Sequence, residues 1–216
     1  MWDANKMIRI LIVDDHAIVR EGLKHLLDIE QDMQVAGMAA DAASAIRFSL
    51  ETPLDLIILD ISMPGKSGLD LIKDLKQVQP KARILILSMY PEDRFALRAV
   101  MAGASGYLTK EMASEEIVMA IRKIHSGRNY ITNSLADKIA DELQHPGARV
   151  PHELLSDREF EVFCMLASGK PVVVIATALS VSESTVSTYR TRILQKMNLK
   201  SNADLMHYAI VNGLVD

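Results

Sequence analysis

A chain of 216 residues exceeds the usual size of a single domain, so two domains are expected. Hydrophobic residues make up 49% and charged residues 24%, the balance of an ordinary soluble globular protein, while aromatics at 5% leave the cores to aliphatic side chains and methionine. The absence of any uncharged apolar run of about 18 residues argues against a membrane span, the single cysteine, Cys164, excludes an internal disulfide framework, and the net charge of −4 does not advertise a nucleic-acid binder.

The N-terminus lacks the design of a secretory signal, which makes the cytoplasm the expected compartment. Residues 8–13 read as a buried strand, followed by a helix through Val19, Leu23, Leu26 and Leu27. A weaker strand near 34–38 precedes a helix over 42–50. Leu56-Ile57-Ile58-Leu59 is a continuous apolar strand, as expected when both faces of a sheet are covered. A helix at 68–78, a strand at 83–87, a helix at 94–101 and a short strand at 106–108 follow. The series closes with a helix at 115–124 whose apolar positions are Ile117, Val118, Ile121 and Ile124. Five strand–helix alternations predict an α/β fold, a doubly wound five-stranded parallel (βα)5 domain over residues 7–125.

Residues 126–151 read as a linker with one short helix at 133–143, because two prolines and a glycine fall between His145 and Pro151. Beyond it only helical periodicity appears, at 157–167, 172–179, 183–197 and 202–212, giving a small all-α domain over 152–216. Ser156 with Glu159 forms a capping-box pattern, and Ser182 sits at another helix start. Ile175, Ala176, Leu179, Val186, Ile193 and Leu194 are the expected core of this part. Residues 184–203 carry four cations (Arg190, Arg192, Lys196, Lys200) and no acid, a local asymmetry that matters more for DNA than the overall sum.

In a doubly wound sheet, ligands bind at the carboxyl ends of the strands. There this sequence puts Asp14 and Asp15, Asp60, Ser88, and Thr109 with Lys110. Three carboxylates in one crevice need a cation, and oxygen-only ligation suits Mg2+. A carboxylate is also a competent nucleophile toward phosphorus, with Lys110 and Ser88 placed to bind the phosphoryl oxygens. Two classes stand open: an enzyme that turns over an aspartyl phosphate, and a protein phosphorylated stoichiometrically with slow self-hydrolysis. Ser62 stands where a dehalogenase-type phosphatase would want a second acid, which favours the latter. His16 reads as structural or solvated, and the scattered histidines show no zinc spacing.

Asp14-Asp15, Asp60 followed by Met63-Pro64-Gly65, Ser88, and the Gly103–Lys110 segment together resemble the receiver domain of two-component response regulators of the NarL/FixJ type. The resemblance implies Asp60 as phosphoacceptor of a sensor histidine kinase. It implies Mg2+ on Asp15, Asp60 and the Ser62 backbone carbonyl, with Asp14 reaching it largely through water. It also implies Ser88 and Tyr107 as a switch pair. Residues 150–214, through Leu155-Ser156-Asp157-Arg158-Glu159, Ile175-Ala176 and Leu179 to Val186, resemble the LuxR-type helix-turn-helix, which binds double-stranded DNA. The second helix of the motif would enter the major groove. Ser187, Thr188 and Thr191 are base-edge candidates, and Tyr189, Arg190, Arg192, Lys196 and Lys200 are candidates for phosphate contact.

Two departures stand out. Many family members carry lysine where Ser187 stands and histidine where Tyr189 stands, so direct readout is expected to be modest. Val172-Val173-Val174 replaces polar residues and leaves an apolar patch that either packs against another surface or is simply tolerated. Phosphorylation is expected to free the recognition helix and promote a homodimer, through a surface of the receiver or through the 202–212 helix, whose Leu205, Ala209 and Ile210 lie along one face. A helical domain that binds a protein instead of DNA is the second reading of the C-terminal half.

Overall fold

The computed structural model describes residues 7–63, 67–111, 114–144 and 150–215. Pro64, Gly65 and the 145–149 stretch of the expected linker lie outside the described residues. By its contacts the chain divides into two compact units, 1–138 and 139–216.

The first unit is a five-stranded parallel sheet of β1 (Ile8–Val13), β2 (Met33–Ala39), β3 (Leu56–Leu59), β4 (Arg83–Ser88) and β5 (Gly106–Thr109), in spatial order β2-β1-β3-β4-β5. Helices α1 (Ala17–Asp28), α2 (Ala42–Glu51), α3 (Gly68–Val78), α4 (Glu92–Ala102) and α5 (Ser114–His125) connect and follow the strands. All four residues of β3 are buried, as its unbroken apolar run requires. β2 lies at an edge and buries only its ends, Met33 and Ala39, which explains its weak pattern in the sequence. Ile10, Ile12, Leu56, Ile58, Leu85, Ile121 and Ile124 pack into one core. Each such side chain contributes roughly 1.5–3 kcal/mol by leaving water.

Local chemistry sets the element ends. Asp41 caps α2 by accepting from Ser44 N at 2.8 Å. α4 begins at Glu92, earlier than its periodicity suggests, because Pro91 supplies an extended residue just before it. It stops at Gly103, whose φ of 114° lies in the left-handed region where a side chain would be strained. Gly68 is fixed for another reason: a Cβ there would lie 2.3 Å from Ile61 Cα, so the backbone must shift to admit one.

The start of the expected linker is tied to this unit. Tyr130 N donates to Ser105 O at 2.9 Å, Tyr130 Oη donates to Glu116 Oε1 at 2.8 Å, and Thr132 Oγ1 donates to Glu92 Oε1 at 2.6 Å. α6 (Asn133–Gln144) begins immediately after, with Thr132 Oγ1 accepting from Leu135 N.

The second unit holds a 3-10 turn (Pro151–Leu154), α7 (Asp157–Ala167), α8 (Val172–Ala178), α9 (Glu183–Met197) and α10 (Asn202–Val211). Ser156 and Glu159 make the capping box that their spacing implies. Phe160, Phe163, Ile175, Leu179, Val186, Ile193, Met197, Leu205 and Ala209 are buried. Leu194, expected in this core, is only half-buried, and Met197 takes its place. The reason is helical register: Val186, Ile193 and Met197 fall on one stripe, whereas Leu194 lies a further 100° or so round the helix. Leu205 and Ala209 are likewise fully buried, so neither offers a free dimer face; Met206, Ile210 and Val211 are the exposed large apolar residues of α10. Val173 and Val174 are exposed as well.

Candidate functional site

The order β2-β1-β3-β4-β5 makes the connections from β1 and β3 leave in opposite directions, which opens a crevice at their carboxyl ends. Asp14 follows β1 and Asp60 follows β3; both are buried, at 2% and 1% exposure. Lys110, one residue past β5, reaches between them and places Nζ 2.6 Å from Asp14 Oδ2 and 2.6 Å from Asp60 Oδ2. The second oxygen of Asp60 accepts from Ser62 N at 2.8 Å. Asp14 Oδ1 accepts from His16 N at 2.8 Å, and the Asp14 carbonyl accepts from Arg20 at 2.5 Å. Asp15 is partly exposed and, with the exposed His16, forms the rim.

Burial pushes the Asp60 carboxyl above its ordinary value, and Lys110 opposes that shift. Burial alone would lower the Lys110 ammonium, but the two carboxylates outweigh it and hold the group above its usual value. Three carboxylates against one ammonium still leave the pocket short of positive charge.

Asp14, Asp15, His16 and Asp60 each offer a ligand atom, all within 4.8 Å of one another. Asp15 Oδ1 is buried without a hydrogen bond, although His16 Nδ1 approaches to 2.9 Å, and Ser62 Oγ is also unpartnered. A buried carboxylate oxygen without a donor costs free energy unless a cation meets it. An oxygen-rich set with an unsatisfied carboxylate fits a hard divalent cation such as Mg2+.

Ser88 ends β4, fully buried, and its hydroxyl accepts from Tyr90 N at 3.1 Å. The Tyr107 ring is buried, and its hydroxyl donates to Tyr90 O at 2.9 Å. Burial raises the Tyr107 hydroxyl above its ordinary value, so it stays protonated and keeps that donor. Ser88 and Tyr107 therefore hold opposite ends of the same backbone residue.

In the second unit α8 and α9 meet at 108°, the angle of a helix-turn-helix. The turn relies on Ser180 at φ 51°, a left-handed position that serine adopts at some strain. Ser182 caps α9 by accepting from Thr185 N at 3.1 Å. Ser187, Thr188, Thr191, Arg192 and Lys200 are exposed, and Tyr189 and Arg190 are half-exposed. Arg190 Nε donates to Asn202 Oδ1 at 2.5 Å. Lys196 is engaged inside the unit, with Nζ 2.6 Å from Glu159 Oε2. Burial pushes the Glu159 carboxyl up, but hydrogen bonds from Lys196 and Ser156 outweigh it and hold the group below its usual range.

Sequence reasoning took His16 as structural or solvated and passed over two further features. His16 touches both Asp14 and Asp15, a contact that its place directly after them foreshadows. Arg20 braces the Asp14 backbone. Arg158 and Glu161 form a buried pair at 2.7 Å, and Arg158 also donates to Leu179 O at 2.8 Å at the end of α8. Only their separation by three residues hinted at that pair.

Among the described residues no single helix is long and apolar enough to cross a membrane. Residues 10–122 match the response regulator receiver domain family, and residues 153–209 match the luxR family of bacterial regulatory proteins. The chain is 35% identical to the response regulator GacA of Pseudomonas aeruginosa, across 97% of this chain and 99% of that one. It is 35% identical to the oxygen regulatory protein NreC of Staphylococcus epidermidis, across 97% and 100%. A solved structure of RcsB from Salmonella enterica serovar Typhimurium, bound to promoter P1flhDC in the presence of the phosphomimetic BeF3−, is similar at a TM-score of 0.63. That similarity comes with 25% identity and covers 93% of this chain and 97% of that one. Two families matched in sequence order, on a parallel sheet with an acidic crevice and a helix-turn-helix, give one answer: the chain belongs to the response regulators that join a receiver domain to a LuxR-type DNA-binding domain.

Proposed function

We propose that Asp60 is the phosphoacceptor and that its phosphorylation controls DNA binding by α9. The observation that carries the first half is the Lys110 bridge, 2.6 Å from Asp14 and from Asp60. An Asp60 oxygen forms the new bond to phosphorus. The bond from phosphorus to the donor breaks, and its electron pair leaves with the donor, a histidine of a sensor kinase or the carboxylate of acetyl phosphate. Lys110 then pairs with a phosphoryl oxygen, and Ser88 donates to another. Asp15, Asp60 and the Ser62 carbonyl would hold Mg2+, with Asp14 acting largely through water. Bound there, the ion screens the negative charges that must approach each other. The phosphoryl group resides on the protein and is lost slowly to water, so the chain acts stoichiometrically.

The rearrangement of Ser88 toward the phosphoryl group removes a partner from Tyr90 N and frees Tyr107 to follow. Phosphorylation thereby supplies the free-energy difference that selects the active arrangement. A homodimer of the active form would match a two-fold DNA site, and the exposed Met206, Ile210 and Val211 of α10 are available to it. On the DNA, Ser187, Thr188 and Thr191 face base edges, while Tyr189, Arg190, Arg192 and Lys200 meet phosphates. Lys196 is committed to Glu159 and contributes less. The receiver range 7–125, the linker 126–151 and the DNA-binding range 152–216 are the proposed organisation, and the cytoplasm is the proposed compartment.

Two measurements test this reading. Incubation with acetyl phosphate and Mg2+ should add one phosphoryl mass to the chain, and EDTA should abolish the addition; labelling that ignores EDTA would sink the metal assignment. A salt titration of DNA affinity should give a log–log slope near −3 per protomer, from about −0.9 for each of Arg190, Arg192 and Lys200. An affinity independent of salt would favour the protein-binding reading of the second unit.

A further inference from the structure

The hydroxyls on the exposed face of α9 are not equivalent. Thr188 Oγ1 donates to Ser184 O at 2.9 Å, and Thr191 Oγ1 donates to Ser187 O at 3.0 Å. A hydroxyl has one proton, so each threonine spends its only donor on the preceding turn. Its uncommitted groups are a methyl and the acceptor lone pairs. Ser187 differs, being exposed and having no side-chain hydrogen bond among the described residues. Thr188 also lines a shallow recess of about 290 Å3 with Ser184, Thr185, Tyr189 and Arg192.

Such a surface suits one kind of base pair. Guanine presents two acceptors in the major groove, and threonines without a free donor have nothing to offer them. On the major-groove edge of an A·T pair the thymine methyl and the adenine amino donor lie on either side of thymine O4, so a methyl and an acceptor each find a partner there. Cytosine offers an amino donor without the methyl. Resting on the reading of α9 as the groove-entering helix, we propose that Thr188 and Thr191 recognise thymine methyl groups and so set A·T preference at two positions of each half-site. Three residues advance the helix by about 4.5 Å. That rise lies between one and two base-pair steps of about 3.4 Å, so the two A·T pairs are neighbours or one pair apart.

The test starts from a random-sequence duplex library selected with the full chain treated with acetyl phosphate and Mg2+. The enriched duplex is then remade with uracil replacing thymine at one position at a time. Loss of a contacted methyl should weaken wild-type binding about fourfold, the value of one buried carbon. Thr188→Val keeps the methyl and loses the hydroxyl, so its binding should remain sensitive to uracil at the contacted position. Thr188→Ser keeps the hydroxyl and loses the methyl; it should bind the thymine duplex about fourfold more weakly and ignore uracil at one position. Uracil without effect at every position, or Thr188→Ser matching wild type while Thr188→Val fails, overturns the inference. A library that yields no enriched duplex overturns the DNA reading beneath it, and the inference with it.

Discussion

Asp60→Asn is expected to reduce phosphoryl incorporation from acetyl phosphate to background while leaving the chain folded. An amide is nearly the same size as a carboxylate, so packing at this buried position survives. The amide lacks the negative charge and nucleophilic oxygen pair that an acyl phosphate requires. Fold stability is not expected to fall, because burial already disfavours the Asp60 charge. The amide oxygen inherits the Lys110 contact, which turns the NH2 toward Ser62 N, a donor facing a donor, so a local shift at that loop is the expected structural trace. DNA affinity without phosphodonor should match wild type, and the increase on adding acetyl phosphate should vanish. Intact-mass measurement and a mobility shift, run on both proteins, read both effects. Undiminished labelling of the asparagine variant would remove Asp60 from the role assigned to it.

The second large effect lies away from the acidic crevice. Arg158→Ala should destabilise the DNA-binding unit by about 3–5 kcal/mol, the usual cost of removing one partner from a buried pair. Its guanidinium lies 2.7 Å from Glu161, with the two side chains at 10% and 5% exposure, and it also donates to Leu179 O. Deleting it removes a cation from beside a buried carboxylate and takes a donor from the end of α8, at the entry to the turn held by Ser180. For a unit of this size such a loss lowers the melting temperature by upwards of about 10 °C. Calorimetry of the full chain should therefore show one transition moving down while the other stays. The double variant Arg158→Met with Glu161→Gln should recover part of the loss, since it buries no charge at either position. A shift of under about 2 °C in the single variant would mean that water reaches the pair and the burial argument fails.

Much of the molecule follows from the sequence because its signals are local. The unbroken Leu56–Leu59 run demands a strand covered on both faces, and the strand is so placed. Ser156 and Ser182 announce helix starts because a cap is made by the residue itself with backbone three positions on. The convergence of Asp14, Asp60 and Lys110 was also legible, because parallel strands joined by helices must bring their carboxyl ends to one edge.

What the tertiary structure decided is which surface each pattern meets. Periodicity marks Leu205, Ala209 and Ile210 as one apolar stripe, yet only packing reveals that the first two are buried and Ile210 is left outside. Charge marks Lys196 as a candidate for phosphate contact, yet Glu159 of α7 claims it. The Tyr130 and Thr132 bonds draw residues read as linker onto the first unit. Each of these depends on residues far apart in the chain meeting at hydrogen-bonding or van der Waals range. Local propensity carries no information about such distances, and they are fixed only when the helices and sheet pack together.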